Sequence, residues 1–208
     1  MPAKIAVLNH GYANIGSLLN SLHLLGFSTT VISSYSDYAD ISDLTGYILP
    51  GVGSFGPAIL SLRSRKLDKV IHELVSQEIR GLGICLGMQL LCSGSEEDNS
   101  FNSGLGYFSG YVRRLSSSNA KVPHIGWSDT FASSSCMLNK SLSLSEPFYY
   151  IHSFAYNSSS DDEVAASFMH GSVRACAAIY KTNLLGVQFH PEKSQDAGLA
   201  LLNDYFTE

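Results

Sequence analysis

Three side chains in this sequence have the types and neighbours that nucleophilic catalysis needs. Cys85 lies in "GICLG", residues 83–87, with Gly83 and Gly87 on either side. This is the thiol form of the G-x-S-x-G turn, in which small residues let a strand bend sharply into a helix and leave the nucleophile proud of the sheet. A helix start also supplies backbone N–H groups and a positive dipole end, both of which favour a thiolate. The competing reading is packing, because free cysteine is among the most buried residue types, and Cys92, Cys136 and Cys176 read that way. A thiol nucleophile also needs a base. Of seven histidines, His23 and His72 fall inside helical stretches and read as solvent-facing, whereas His190 closes the apolar run "GVQFH" with Glu192 two residues on. Strand alternation would put both on one face, so that the carboxylate orients the imidazole, and Pro191 would end the sheet pairing there. A solvated strand end carrying His and Glu is the plain alternative. Taken with Cys85, the pair supplies nucleophile, base and orienter.

A second pattern, "PGVGSFG" (50–56), follows an apolar strand and precedes a helix. Gly51, Gly53 and Gly56 match a dinucleotide fingerprint in form, and Glu73 stands about twenty residues further on. The fingerprint belongs on the first strand, however, and this is the third. The other use of a glycine-rich turn at a strand end is to aim backbone N–H groups at a developing oxyanion.

These residues must be positioned by the elements around them. "KIAVLN" (4–9), "FSTTVIS" (27–33), "GYILPG" (46–51) and "GLGIC" (81–85) read as strands. Between them "NIGSLLNSLHLLG", with Ile15, Leu18, Leu19, Leu22 and Leu25 on one face, "PAILSL" with Pro57 at its start, and "LDKVIHELVSQEI" read as helices. That alternation predicts an α/β fold with a mostly parallel central sheet covered by helices on both faces. After about residue 105 the strands follow one another: "GYVRRL", "FYYIHSFAY", "EVAASFM", "VRACAAIY" and "LLGVQFH", joined by the turns "SSSN" (116–119) and "SSSDD" (158–162). An added antiparallel part is expected there. The final segment, "SQDAGLALLNDYF", reads as a helix with Ser194 as N-cap and Asp196 in its first turn.

Composition narrows the function classes. With 208 residues, 45% hydrophobic and 15% charged, the chain reads as a single globular domain, residues 1–208. A net charge of −5 and the lack of a basic stripe beyond Arg63, Arg65, Lys66 and Lys69 argue against nucleic acid. No run approaches the ~18 apolar residues of a membrane span, and the N-terminal run is too short for a signal sequence. A cytoplasmic protein with free thiols is expected, in which the triplets at Asn139 and Asn157 carry no glycan.

"PGVGSFG", "LGICLGMQLL" and "GVQFHPEKS" resemble the class I, triad-type glutamine amidotransferases. "VPHIGW" and "QFHPEKSQDAGLALL" narrow the resemblance to the glutaminase subunits of imidazole glycerol phosphate synthase. It covers the chain from its first strand to its last helix and implies a three-layer fold with a nucleophile elbow. It also implies that Cys85 attacks the side-chain amide of glutamine to form a γ-glutamyl thioester and ammonia, with His190 moving protons and Glu192 holding it. By the same resemblance Val52, Gly53 and Leu86 form the oxyanion hole, Gln89 and Glu97 hold the amino-acid end of the substrate, and Ser153 and Phe154 line its site. No cofactor or metal is implied. The implied partner is a (β/α)₈-barrel synthase subunit that receives the ammonia through a channel and docks at Asn14, Trp127, Tyr149 and Lys193. By composition alone, Trp127 and Tyr149 could equally be core aromatics. Glutaminases of this kind are typically idle until the synthase is occupied, which suits a movable segment at Gly51–Gly53. The chain departs from the family in two places: Asn9-His10-Gly11 stands where Asp-Tyr-Gly is usual, and Phe154 where Tyr is usual. Similar glutaminases serve sugar-modifying amidotransferases, so that acceptor stays open; a silent docking scaffold is a further reading, against which the intact Cys85, His190 and Glu192 argue.

Overall fold

The structure, a computed structural model, describes residues 3–39, 41–97, 102–116, 119–133, 144–158, 160 and 162–207. Cys136 and Asn139 lie outside the described residues. The chain runs β1 (Lys4–Leu8), α1 (Ile15–Leu24), β2 (Ser28–Ile32), α2 (Tyr35–Tyr38), β3 (Gly46–Gly51), α3 (Phe55–Ser64), α4 (Leu67–Ser76), β4 (Arg80–Cys85) and α5 (Leu86–Leu90). It continues through β5 (Cys92–Ser95), β6 (Asn102–Ser103), β7 (Phe108–Arg114), β8 (His124–Ala132), β9 (Pro147–His152) and β10 (Phe154–Asn157). The last elements are β11 (Val164–His170), β12 (Val173–Lys181), β13 (Leu184–Val187), a 3-10 turn (Pro191–Lys193) and α6 (Gln195–Thr207).

Nine strands form one sheet in the order β2-β1-β3-β4-β13-β12-β11-β8-β9. From β2 to β13 all pairings are parallel, and from β13 to β9 all are antiparallel. The parallel strands read as near-continuous apolar runs because helices cover both of their faces. Alternate residues serve opposite cores. Ile5, Val7, Ile48, Leu82 and Ile84 pack on the side of α1 and α6, whereas Ala6, Leu8, Tyr47 and Leu49 face α3 and α4. Each core is continuous and fully buried over these positions, so the central strands form the stiff floor of the molecule.

The second half is less uniform than its sequence pattern implies. "FYYIHSFAY" is not one strand: it breaks at Ser153, so that β9 closes the large sheet while β10 joins a separate four-stranded sheet, β10-β7-β5-β6. Glu163 ties this small sheet to the large one. Its carboxylate accepts from Ser109 N–H, Ser109 Oγ and Tyr156 OH (3.0, 3.1 and 2.6 Å) and pairs with Lys181 Nζ at 3.1 Å. Helix α3 begins at Phe55, so Pro57 occupies its first turn, where the missing N–H has no intrahelical partner to lose. His23 and His72 are exposed as expected. Arg63, Arg65, Lys66 and Lys69 are all exposed, and Arg63 donates to the Ser103 and Gly104 carbonyls at 3.2 and 3.0 Å.

Candidate active site

Cys85 sits where β4 passes directly into α5, with φ 53° and ψ −109°, a left-handed backbone that a non-glycine residue adopts only under strain. Its neighbours make the bend possible. A Cβ on Gly87 would lie 1.7 Å from the Leu49 carbonyl oxygen, so only glycine lets the start of α5 press against β3. Pairing of Gly51 with Cys85 in the parallel β3–β4 ladder then brings the end of β3 beside the thiol. The glycines of "PGVGSFG" therefore serve the elbow and the turn into α3. Gly53 has φ +96°, and Glu73, the acidic partner a dinucleotide site would need, accepts from Tyr35 OH at 2.7 Å on the outer side of α4.

His190 reaches the thiol by a different route from the one its sequence suggests. Strand β13 stops at Val187, three residues short of His190, and Glu192 lies in the 3-10 turn rather than on an extended strand. The turn still brings the pair together: His190 Nδ1 and Glu192 Oε1 are 2.8 Å apart and both side chains are buried. Backbone bonds fix the segment, with Gln188 N–H on the Ala177 carbonyl (2.8 Å) and His190 N–H on the Tyr149 carbonyl (2.9 Å). Burial alone would lower the basicity of His190. Hydrogen bonding and charge at Cys85 and Glu192 outweigh it and raise the imidazole to about 10. An imidazole of that basicity, with its other nitrogen buried beside a thiol, is built to take and hold the thiol's proton.

The thiol opens into a cleft of about 310 Å³. The residues expected to form the oxyanion hole and to hold the substrate all line it, namely Val52, Gly53, Leu86, Gln89, Glu97, Ser153 and Phe154, together with Lys193. Leu86 is the first residue of α5, so its N–H has no partner within the helix. The Val52 N–H is not free, because it donates to the Tyr12 carbonyl at 2.8 Å. The same segment is held at two further points. His10, fully buried, places Nε2 2.8 Å from the Pro50 carbonyl, and Glu97 Oε2 accepts from the Phe55 N–H at 2.8 Å. A carbonyl can only accept, so Nε2 of His10 carries the proton, and burial lowers the basicity of its unpartnered Nδ1. The segment expected to form the oxyanion hole is thus clasped by the loop that follows β1 and by Glu97 after β5.

At the two departures from the family pattern, Asn9 and Phe154 each have defined hydrogen-bond partners. Asn9 uses its side-chain oxygen to accept the Gly11 N–H (3.1 Å), which an aspartate would do equally. Phe154 serves through its main-chain carbonyl, which takes Gln89 Nε2 at 3.1 Å and His152 Nδ1 at 2.8 Å. Of the expected docking residues, Trp127 is 47% exposed and stands opposite Tyr149 in the β8–β9 pairing, their ring centroids 6.2 Å apart, so Trp127 is not a core aromatic. Ile125 and Ile151 extend the same outward face. Asn14 and Lys193 are exposed, and α1 packs against the turn that carries Lys193.

Sequence reasoning missed several residues that shape the site. His10 and Gln188 are polar yet fully buried, and their only sequence signal is their position beside apolar strands. His152 lines the cleft as a neutral imidazole, pushed down to about 4 chiefly by burial. Ser194 is not a side-chain cap. Its carbonyl accepts the Gly198 N–H as helix geometry requires, while its hydroxyl donates to the His190 carbonyl (2.6 Å) and accepts the Tyr149 N–H (3.0 Å).

Comparison with known proteins agrees with this geometry. Residues 6–208 match the model of the family "Glutamine amidotransferase class-I". The chain is 40% identical to imidazole glycerol phosphate synthase subunit HisH of Cyanothece sp., over 98% of this chain and 95% of that protein. It is 36% identical to subunit HisH 2 of Nitrobacter winogradskyi, over 98% and 97%. Among solved structures, PurLQS from Thermotoga maritima superposes with a TM-score of 0.73 over 98% of this chain and 99% of that one, at 20% identity, a likeness of fold. An elbow cysteine, a buried His–Glu pair and a match running almost from end to end all point one way: the chain belongs to the class I glutamine amidotransferase family.

Proposed function

We propose that this chain is the glutaminase subunit of an imidazole glycerol phosphate synthase, working as one domain in the cytoplasm. The observation that carries the chemistry is the strained Cys85 elbow beside a His190 held by Glu192 at 2.8 Å. The names and near-complete coverage of the relatives favour the histidine pathway over a sugar-modifying acceptor.

In this reading His190 takes the Cys85 proton and the thiolate attacks the side-chain carbonyl carbon of glutamine. Carbonyl electrons move onto oxygen, where the N–H groups of Leu86 and of the Val52–Gly53 segment receive the charge. The imidazolium then gives its proton to the departing nitrogen, releasing ammonia and leaving a γ-glutamyl thioester. Water, deprotonated by His190, attacks the thioester; glutamate leaves and the sulfur recovers its electron pair. The Val52 N–H must first leave the Tyr12 carbonyl, so the segment has to shift before it can contribute. Both N–H bonds of Gln89 are occupied, by Phe154 and Gln188, leaving its oxygen to accept from the substrate ammonium, with the Glu97 carboxylate supplying opposite charge.

The partner is a (β/α)₈-barrel cyclase that consumes the ammonia in forming imidazole glycerol phosphate and AICAR. It docks on the face formed by Trp127, Tyr149, Asn14 and Lys193, where Ile125, Trp127 and Ile151 expose apolar surface of the kind interfaces cover. The test is glutamate and ammonia release from glutamine by the purified chain, alone and with such a synthase and its nucleotide ligand. Turnover that requires the partner and is absent in Cys85→Ala supports the reading. A thiol labelled by a glutamine-analogue affinity reagent, with no stimulation by that synthase, would move the acceptor elsewhere.

A further inference from the structure

The orientation of two buried amides in the cleft floor follows from one backbone carbonyl. Gln188, fully buried two residues before His190, is fixed by its backbone bond to Ala177. The Phe154 carbonyl can only accept, so the Gln89 atom 3.1 Å from it is the amide nitrogen. That nitrogen also lies 3.0 Å from the side chain of Gln188, which must therefore offer its oxygen. The amide nitrogen of Gln188 is then the atom 3.7 Å from Cys85 Sγ, and its N–H points at the sulfur. A flipped Gln188 would set N–H against N–H at Gln89 and oxygen against a thiolate, so the chain of donors admits one arrangement.

We propose that Gln188 is a further catalytic residue, whose side-chain N–H donates to the Cys85 thiolate and stabilises it before attack and on its release. During attack the S–C bond forms, the carbonyl π electrons pass to oxygen, and the N–H···S bond weakens as the sulfur loses its charge. During hydrolysis of the thioester the S–C bond breaks and its electron pair returns to sulfur, where the same N–H receives it. The donor thus faces charge in the attacking thiolate and in the departing one, and hydrogen bonds to charged groups are the strong ones. The proposal rests on the glutaminase reading only for the identity of the attacking atom.

Gln188→Met keeps the side-chain volume and removes the donor. Gln188→Glu keeps an oxygen for Gln89 and sets a carboxylate against the sulfur. Alkylation of Cys85 in the full chain by iodoacetamide, followed against pH by mass spectrometry of the Cys85 peptide, reads the thiolate fraction with no partner or substrate present. The midpoint should rise by about one pH unit in Gln188→Met and further in Gln188→Glu, with kcat down about tenfold and KM little changed. Thermal melts identify a variant that has not folded, and the other then decides. Folded variants that alkylate with the wild-type midpoint, in a chain that turns over glutamine, would overturn the proposal and leave Gln188 a structural amide. A shifted midpoint in a chain that no partner can stimulate would uphold the N–H···S bond and sink the glutaminase reading instead.

Discussion

On one flank of Cys85 the proposed base is assembled: His190 lies buried, oriented by Glu192 at 2.8 Å and already raised to about 10. On the other flank the segment proposed to receive the oxyanion is tied back, with Val52 N–H on the Tyr12 carbonyl and the Pro50 carbonyl on His10. The difference has a physical origin. The base flank hangs from the sheet end through backbone bonds to β9 and β12, whereas the oxyanion flank follows the last residue of β3 and is fastened to a surface loop. The His190–Glu192 pair is thus in place at rest, whereas the oxyanion of an attacked amide would find too few donors. That arrangement would keep glutamine from being wasted when no acceptor is docked.

The sharpest way to break this comparison is to remove the group both flanks serve. Cys85→Ala should abolish glutamine turnover, by at least about 10⁴-fold in kcat, in a chain that folds and binds its partner normally. Alanine keeps a Cβ and with it the strained backbone at φ 53°, so the melting temperature should stay close to that of the wild type, and calorimetry beside the activity assay checks both. Residual turnover above about one part in a hundred would place the nucleophile elsewhere.

Glu192→Gln probes the base flank alone. The amide can keep the contact with His190 but not the charge, so kcat should fall about 10³-fold with little change in KM. The substitution also has a signature in stability. His190 is raised in the folded chain from an ordinary 6.5 to about 10. Its protonation therefore favours the fold: that contribution is complete below about pH 6.5 and is lost as pH climbs towards about 10. Urea midpoints taken near pH 6 and near pH 9.5 should differ in the wild type and differ less in Glu192→Gln. An identical alkaline decline in both would mean that Glu192 does not hold the proton.

The oxyanion flank should respond in the opposite direction. His10→Phe fills the buried site but removes the donor to the Pro50 carbonyl, a net loss of about 1 kcal/mol. A loosened segment should raise partner-independent turnover about three- to tenfold and lower the stimulation given by the partner. His10→Gln, which can donate in the same direction, should restore the wild-type ratio. Because the buried Nδ1 has no partner and burial opposes a second proton, this ratio should stay flat as pH falls from about 8 to 6. A fall in activity at every partner concentration would instead show that His10 supports the fold and not the gate.

How much of this was legible beforehand depends on range. The four strands of the first half, the elbow and the contact of His190 with Glu192 were readable because each depends on local pattern: apolar runs, paired glycines, a His two residues from a Glu. The break of "FYYIHSFAY" at Ser153 was not, since two consecutive apolar strands look continuous in sequence when only their partners, β8 and β7, differ. β8 also escaped notice, because Ile125, Trp127 and Phe131 face outward and its buried side is thin. His10 and Gln188 act through contacts 40 and 103 residues away in the chain. No window of sequence contains both ends of such a bond.

Ser194 gives the finest test of the same division, because a residue that reads as a helix cap is in fact a brace on the base flank. Its hydroxyl spans from the His190 carbonyl to the Tyr149 N–H, linking the catalytic turn to the strand whose outer face carries Tyr149 and Ile151. If it were a cap, Ser194→Ala would loosen the start of α6 and leave catalysis alone. As a brace its loss leaves the Tyr149 N–H without an acceptor and costs about 1–2 kcal/mol of stability. The His190 carbonyl keeps the Lys193 N–H at 3.0 Å, so the turn survives and kcat should drop only about two- to fivefold. Hydrogen exchange separates the two: a brace predicts faster exchange at Tyr149, a cap faster exchange in the first turn of α6. Exchange at Tyr149 that matches the wild type would cut the link between the proposed docking face and His190, leaving the loop after β1 as the remaining route by which a docked partner could act on Cys85.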